Sequence, residues 1–123
     1  MPPSAGPSPA VLDVSVIAAI RALGCDGEPD VFTEVAQLFL ADVPVHLDAL
    51  RAAIAADRPE QVEQIAHRLR GGALELGALR MAPLCATLER AARGGSLVEA
   101  NDLLDSLQRE FVAVRAALEE VIQ

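Results

Sequence analysis

His67, Arg68, Arg70 and the pair Gly71-Gly72 lie together in the run Ala66-His67-Arg68-Leu69-Arg70-Gly71-Gly72-Ala73-Leu74. A neutral imidazole is a nucleophile near pH 7, its reference pKa being about 6.5. A guanidinium one helical turn away can grip an anion with two hydrogen bonds. The pattern points to covalent chemistry between an imidazole and an anionic group, provided that the imidazole meets solvent. Helix phase says that it does. At about 100° per residue, Val62, Ala66, Leu69, Ala73 and Leu76 cluster within about 40° of one direction, and His67 points about 140° away from it.

The glycine pair sharpens this. Two glycines inside a helix cost about 1 kcal/mol each relative to Ala, yet the apolar repeat of Val62, Ala66, Leu69, Ala73 and Leu76 runs through them without a phase slip. One continuous helix is predicted, with Gly71 kept bare to clear the approach to His67 one turn before it. Leu74, a further turn along, gives a partner an apolar rim. Arg70 is placed to reach a dianion on His67, Arg68 less directly from the other flank, and Gln64 is grouped with them as a partner contact. Between Arg58 and Arg80 four arginines face three glutamates, so an anion is better tolerated here than on the acidic remainder.

The elements that must hold this face follow from periodicity and caps. Residues 1–10, MPPSAGPSPA, read as a disordered arm, and 11–123 as one domain. Asp13 is the N-cap of a short helix to about Arg21, stopped by Gly24 and the turn Asp26-Gly27-Glu28-Pro29. A second helix from near Asp30 to about Ala56 carries Phe32, Val35, Leu38, Phe39, Val43, Leu47, Leu50 and Ile54, with a kink expected at Pro44. Asp57 with Glu60 three residues on predicts the N-cap of the third helix, and Gly77 its end. A fourth helix is predicted over Leu79 to Arg93, closed by Gly94-Gly95. Ser96-Leu97-Val98-Glu99 reads as a capping box for a fifth, with Leu103, Leu104, Leu107, Phe111, Val114, Leu118 and Val121 on one stripe. Short joins make neighbours antiparallel. The fold class is all-α, an up-down four-helix bundle with the short first helix capping one end.

Composition agrees and excludes. With 123 residues, 52% hydrophobic content and three Phe as the only aromatics, the chain can bury one core of Leu, Val, Ile and Ala. A net charge of −8 argues against nucleic acid or an anionic membrane as partner. All ten basic residues are Arg, which removes a lysine Schiff base from consideration. Cys25 and Cys85 form no zinc or disulfide pattern, and Cys85 falls at a core position. With no signal peptide or span in sight, the expectation is a cytoplasmic, monomeric protein. The initiator Met and the arm favour a free-standing one. Glu60, Glu63 and His67 share a face, but a bundle metal site needs ligands from several helices, so no metal is expected. His46 has no motif around it and is read as a surface or boundary histidine.

The segment His67, Leu69, Arg70, Gly71, Gly72-Ala73 and Gly77 resembles the signature of histidine-containing phosphotransfer (HPt) domains. The similarity extends through Leu84-Cys85, Leu88-Glu89 and Ala91-Ala92 and back to Phe39-Leu40 and Asp57, covering roughly residues 30 to 120. Arg70 stands where that family usually has Lys, and Gly72 where Ser is common. The resemblance implies that His67 is a phosphoacceptor passing a phosphoryl group between receiver aspartates or from a hybrid histidine kinase. It implies no kinase activity of its own and no bound cofactor, Mg²⁺ being supplied by the receiver. The alternative is a helical adaptor that binds a receiver or kinase through the same face without being phosphorylated.

Overall fold

The computed structural model describes residues 11–23 and 31–122, which are helical apart from turns and one isolated bridge. The arm at 1–10, the turn at 24–30 and Cys25 lie outside the described residues. Five helices follow in order: α1 (Val14–Arg21), α2 (Val31–Ala55), α3 (Pro59–Leu76), α4 (Met81–Arg93) and α5 (Ala100–Val121). α2 packs on α3, α3 on α4, α4 on α5, and α5 back on α2, which closes a ring of four long helices. The joins are too short for anything but reversal of direction, so this is the predicted up-down bundle. α2 runs through Pro44 as one element.

The core is one cluster. Phe32 and Leu50 of α2, Val62 and Leu76 of α3, Met81 and Leu88 of α4, and Leu107 and Leu118 of α5 are fully buried. All five phase-marking residues of α3 face this core, and Cys85 is buried in it as predicted. Leu38 departs from the predicted stripe of α2 and is 64% exposed; Ala36 and Phe39 fill the core positions around it.

α1 caps the end of the bundle where α2 begins and where α3 and α5 end. The Asp13 carboxylate accepts from the Ser15 amide at 3.0 Å and from its hydroxyl at 2.6 Å, which lowers the Asp13 pKa. The Asp13 amide donates to the Gly77 carbonyl at 2.7 Å, and the Leu79 amide to that of Val11 at 3.1 Å. Arg21 reaches the Val121 carbonyl at 3.3 Å.

Three turns share one closing device, and two of them correct predicted boundaries. At the ends of α2, α3 and α4, a residue with positive φ follows the last helical carbonyls. These are Asp57 (φ 53), Gly77 (φ 78) and Gly95 (φ 83). The next amide reaches back five residues in each case: Arg58 to Ala53 at 3.0 Å, Ala78 to Ala73 at 2.8 Å and Ser96 to Ala91 at 3.0 Å. Asp57 is thus spent on ending α2, and the N-cap of α3 is Arg58, which makes no side-chain cap bond. The Ser96 amide closes α4 and its hydroxyl accepts from the Val98 amide at 3.5 Å, but no capping box forms, and α5 starts at Ala100 behind Glu99. Leu79 is held by Val11, so α4 starts at Met81 rather than Leu79.

Gly77 is required twice over: its φ is 78°, and a Cβ there would stand 3.1 Å from both the Asp13 and the Val16 Cβ atoms. Gly77→Ala is therefore expected to lower stability by about 1–3 kcal/mol through backbone strain and crowding, measured as a fall in the urea midpoint at unchanged slope.

Candidate functional site

α3 turns Gln64, His67, Gly71 and Leu74 outward, as its phase demands. The His67 side chain is 63% exposed, and Leu74 is 61% exposed. Nothing lies within 4 Å of a Cβ built at Gly71, so the approach along that side of the imidazole is open. Gly72, by contrast, turns towards α2, where its Cβ would touch the Phe39 ring at 3.6 Å. Arg68 lines the groove on that α2 flank. His46 is half-buried in α2 beside the same groove.

The other flank of His67 meets α4. Its Nδ1 lies 3.0 Å from Glu89 Oε2, and Glu89 is buried, with a side chain only 4% exposed. Arg93, one turn after Glu89, donates from Nη2 to the same Oε2 at 3.0 Å and from Nε to Glu63 Oε2 at 2.7 Å. Glu63 lies one turn before His67 on α3. Arg70 approaches from the opposite side, with Nε 3.2 Å from Glu89 Oε1 and Nη2 3.3 Å from His67 Nδ1. The result is a cluster of one imidazole, two carboxylates and two guanidiniums across two helices, neutral when the imidazole is neutral.

This geometry selects the tautomer. A carboxylate only accepts, so the shorter contact at Nδ1 requires a proton there, donated to Glu89. Arg70 Nη2 then faces an N–H and gains nothing from it, leaving its guanidinium anchored only by charge to Glu89 Oε1, which makes no hydrogen bond. Nε2 keeps its lone pair on the solvent side of the ring. Glu63, by its hydrogen bond first and its charge second, raises the pKa of Arg93. Burial, then the charge of Glu89, pushes the Cys85 thiol up to about 12, so Cys85 stays a neutral core residue.

Of the residues singled out by sequence, His67, Arg70, Gly71, Gln64 and Leu74 share this face, and Arg68 sits at its edge between the two flanks. Sequence reasoning put Glu63 on the face of His67 but gave no role in the site to it, to Glu89 or to Arg93. The signal was there for Glu89: a carboxylate four residues after Cys85 and three before Ala92, in phase with the buried face of α4. Among the described residues no three His, Cys, Asp or Glu side chains are grouped to hold a metal ion.

Residues 34–123 match the profile of the Hpt domain. The chain belongs to the Hpt-domain family. Histidine-containing phosphotransfer protein B of Pseudomonas aeruginosa is 30% identical to this Hpt domain, with a TM-score of 0.84 over 92% of this chain and 95% of the other. A histidine-containing phosphotransfer protein of Medicago truncatula shares the fold at 24% identity and a TM-score of 0.80, over 91% of this chain and 77% of its own. No curated protein matches the chain. Hpt domains are phosphocarrier modules that work with two-component kinases and receiver domains, and the chain has a phosphotransfer role of this kind. No described helix of this Hpt domain is long and apolar enough to cross a membrane.

Proposed function

We propose that the protein is a monomeric, cytoplasmic phosphorelay carrier in which His67 receives and returns the phosphoryl group through Nε2. The observation that carries this is the engagement of Nδ1 by the buried Glu89 while the ring stands open beside Gly71. In the forward step Nε2 attacks the phosphorus of a receiver acyl phosphate in line. The P–Nε2 bond forms as the P–O bond to the aspartate breaks, and the aspartate leaves as carboxylate. The imidazolium that results keeps its Nδ1–H on Glu89, which spreads the new positive charge onto a buried carboxylate.

Arg70, held only by its charge contact with Glu89 Oε1, can turn to the phosphoryl oxygens. Return of the group to a second receiver, or its arrival from a hybrid histidine kinase, uses the same geometry. Mg²⁺ belongs to the receiver, and the Hpt domain needs no cofactor of its own. Arg70 keeps the cation that the family places there, and Glu89 supplies the ring's hydrogen bond where Gly72 has no hydroxyl to offer.

The test is direct: incubate the full chain with a phosphorylated receiver or a hybrid kinase, and map the label. Acid-labile, alkali-stable phosphate on the peptide containing His67 is expected. No label under transfer-competent conditions, or label on another residue, overturns the proposal.

Clearance at Gly71 makes a separate prediction. Leu is a far better helix former than Gly and meets open space here, so Gly71→Leu is expected to raise stability by about 0.8 kcal/mol while slowing transfer from a receiver by about tenfold or more. Labelling by a small phosphoryl donor such as phosphoramidate is expected to change much less. Equal losses with both donors would show that Gly71 serves something other than docking.

A further inference from the structure

Glu63 has no place in the transfer step just described, yet it makes the shortest contact of the site, 2.7 Å to Arg93 Nε. Arg93 Nη2 and His67 Nδ1 both lie 3.0 Å from the single atom Glu89 Oε2, so the two nitrogens are no more than about 6 Å apart. The Arg93 side chain is 60% exposed and borders, with His67, a hollow of about 450 Å³ on the α4 flank. Released, this guanidinium would reach a phosphoryl group on the imidazole. It is not released: both nitrogens along one edge of its fork are taken, one by each glutamate.

Resting on the reading of His67 as phosphoacceptor, we propose that Glu63 is a positioning residue that tethers Arg93 to Glu89 and keeps it off the phosphoryl group. The phosphohistidine is thereby held short-lived and easily passed on. A guanidinium on the phosphoryl oxygens binds the dianion already present in the ground state. Spontaneous loss passes through a loose transition state in which those oxygens gain no charge to be gripped more tightly. An added arginine therefore lengthens the life of the phosphohistidine and lowers its tendency to give the group away.

The experiment is a cycle of variants phosphorylated with phosphoramidate, where the P–Nε2 bond forms as the donor's P–N bond breaks and ammonia leaves. The decay of acid-labile phosphate is then followed, in which water attacks phosphorus, Nε2 keeps the electron pair of the broken bond, and inorganic phosphate departs. Glu63→Gln weakens the tether without removing bulk, and the half-life is expected to lengthen about 2- to 5-fold, the worth of one exposed charge-assisted contact. In the Arg93→Gln background the same Glu63→Gln change is expected to have no effect.

A half-life unchanged by Glu63→Gln overturns the tether, and so does equal lengthening with and without Arg93, which would assign the effect to repulsion by Glu63 alone. Failure of the parent chain to be labelled on His67 would instead remove the reading beneath it. Glu63 is half-exposed and outside the core, so matching circular dichroism spectra are expected throughout.

Discussion

His67→Gln is expected to yield a folded protein that binds a receiver and accepts no phosphoryl group at all. The ring lies outside the core and makes one hydrogen bond inward, to Glu89. A glutamine amide can still donate to that carboxylate, so stability should move by no more than about 0.5 kcal/mol. A carboxamide nitrogen has its lone pair delocalised into the carbonyl and does not attack phosphorus, so the loss of transfer is complete rather than partial. The measurement pairs receiver binding by calorimetry with label transfer on the same preparation. Binding kept and label lost is the expected pair. Label kept would move the acceptor off His67 and return the adaptor reading of this face to the front.

Glu89→Gln is the second large effect, because one atom change removes the charge behind the ring. The amide oxygen can take the place of Oε2, still accepting from His67 Nδ1 and from Arg93 Nη2. The imidazolium formed in transfer then no longer faces a carboxylate. Loss of a carboxylate partner of this kind typically slows a reaction by about 10- to 100-fold, and that fall is expected in the initial rate of labelling. The ring ¹⁵N shifts of His67 report the tautomer independently: an unchanged tautomer is expected, and a changed one would assign the loss to the orientation of the ring instead of to the missing charge. Stability should fall by about 1–2 kcal/mol, since Arg93 and His67 both lose a charge-assisted bond to a buried acceptor.

The outward face of α3 was legible from sequence because its apolar repeat keeps one phase from Val62 to Leu76, and phase alone places His67, Gly71 and Leu74 in solvent. Gly77 was legible for the same local reason, as the expected left-handed end of that helix. Glu89 was not, although it stood in plain view: its meaning depends on which helix packs over it, and only the α3 and α4 pairing turns a buried carboxylate into the partner of Nδ1. Asp57 and Ser96 misled because a short join offers one polar residue to two helices. In both places the backbone of the join is committed to closing the previous helix, through the positive φ of Asp57 and through the Ser96 amide, which donates to the Ala91 carbonyl. Leu38 shows the limit of apolar counting on α2, where an alanine takes the core position and the larger residue faces water.

The whole cluster lies between Glu63 and Arg93, on two helices joined by a single turn. Its longest link that closes on His67 spans 22 residues, to Glu89. Bringing those ends together costs little entropy beyond that of forming the α3 and α4 hairpin, because closure cost grows only with the logarithm of loop length. The members of the site are thus near neighbours along the chain as well as in space, and a low sequence separation of this kind favours fast folding. α2 packs against α3 and α5 against α4, so the two helices that carry the site are each backed by another.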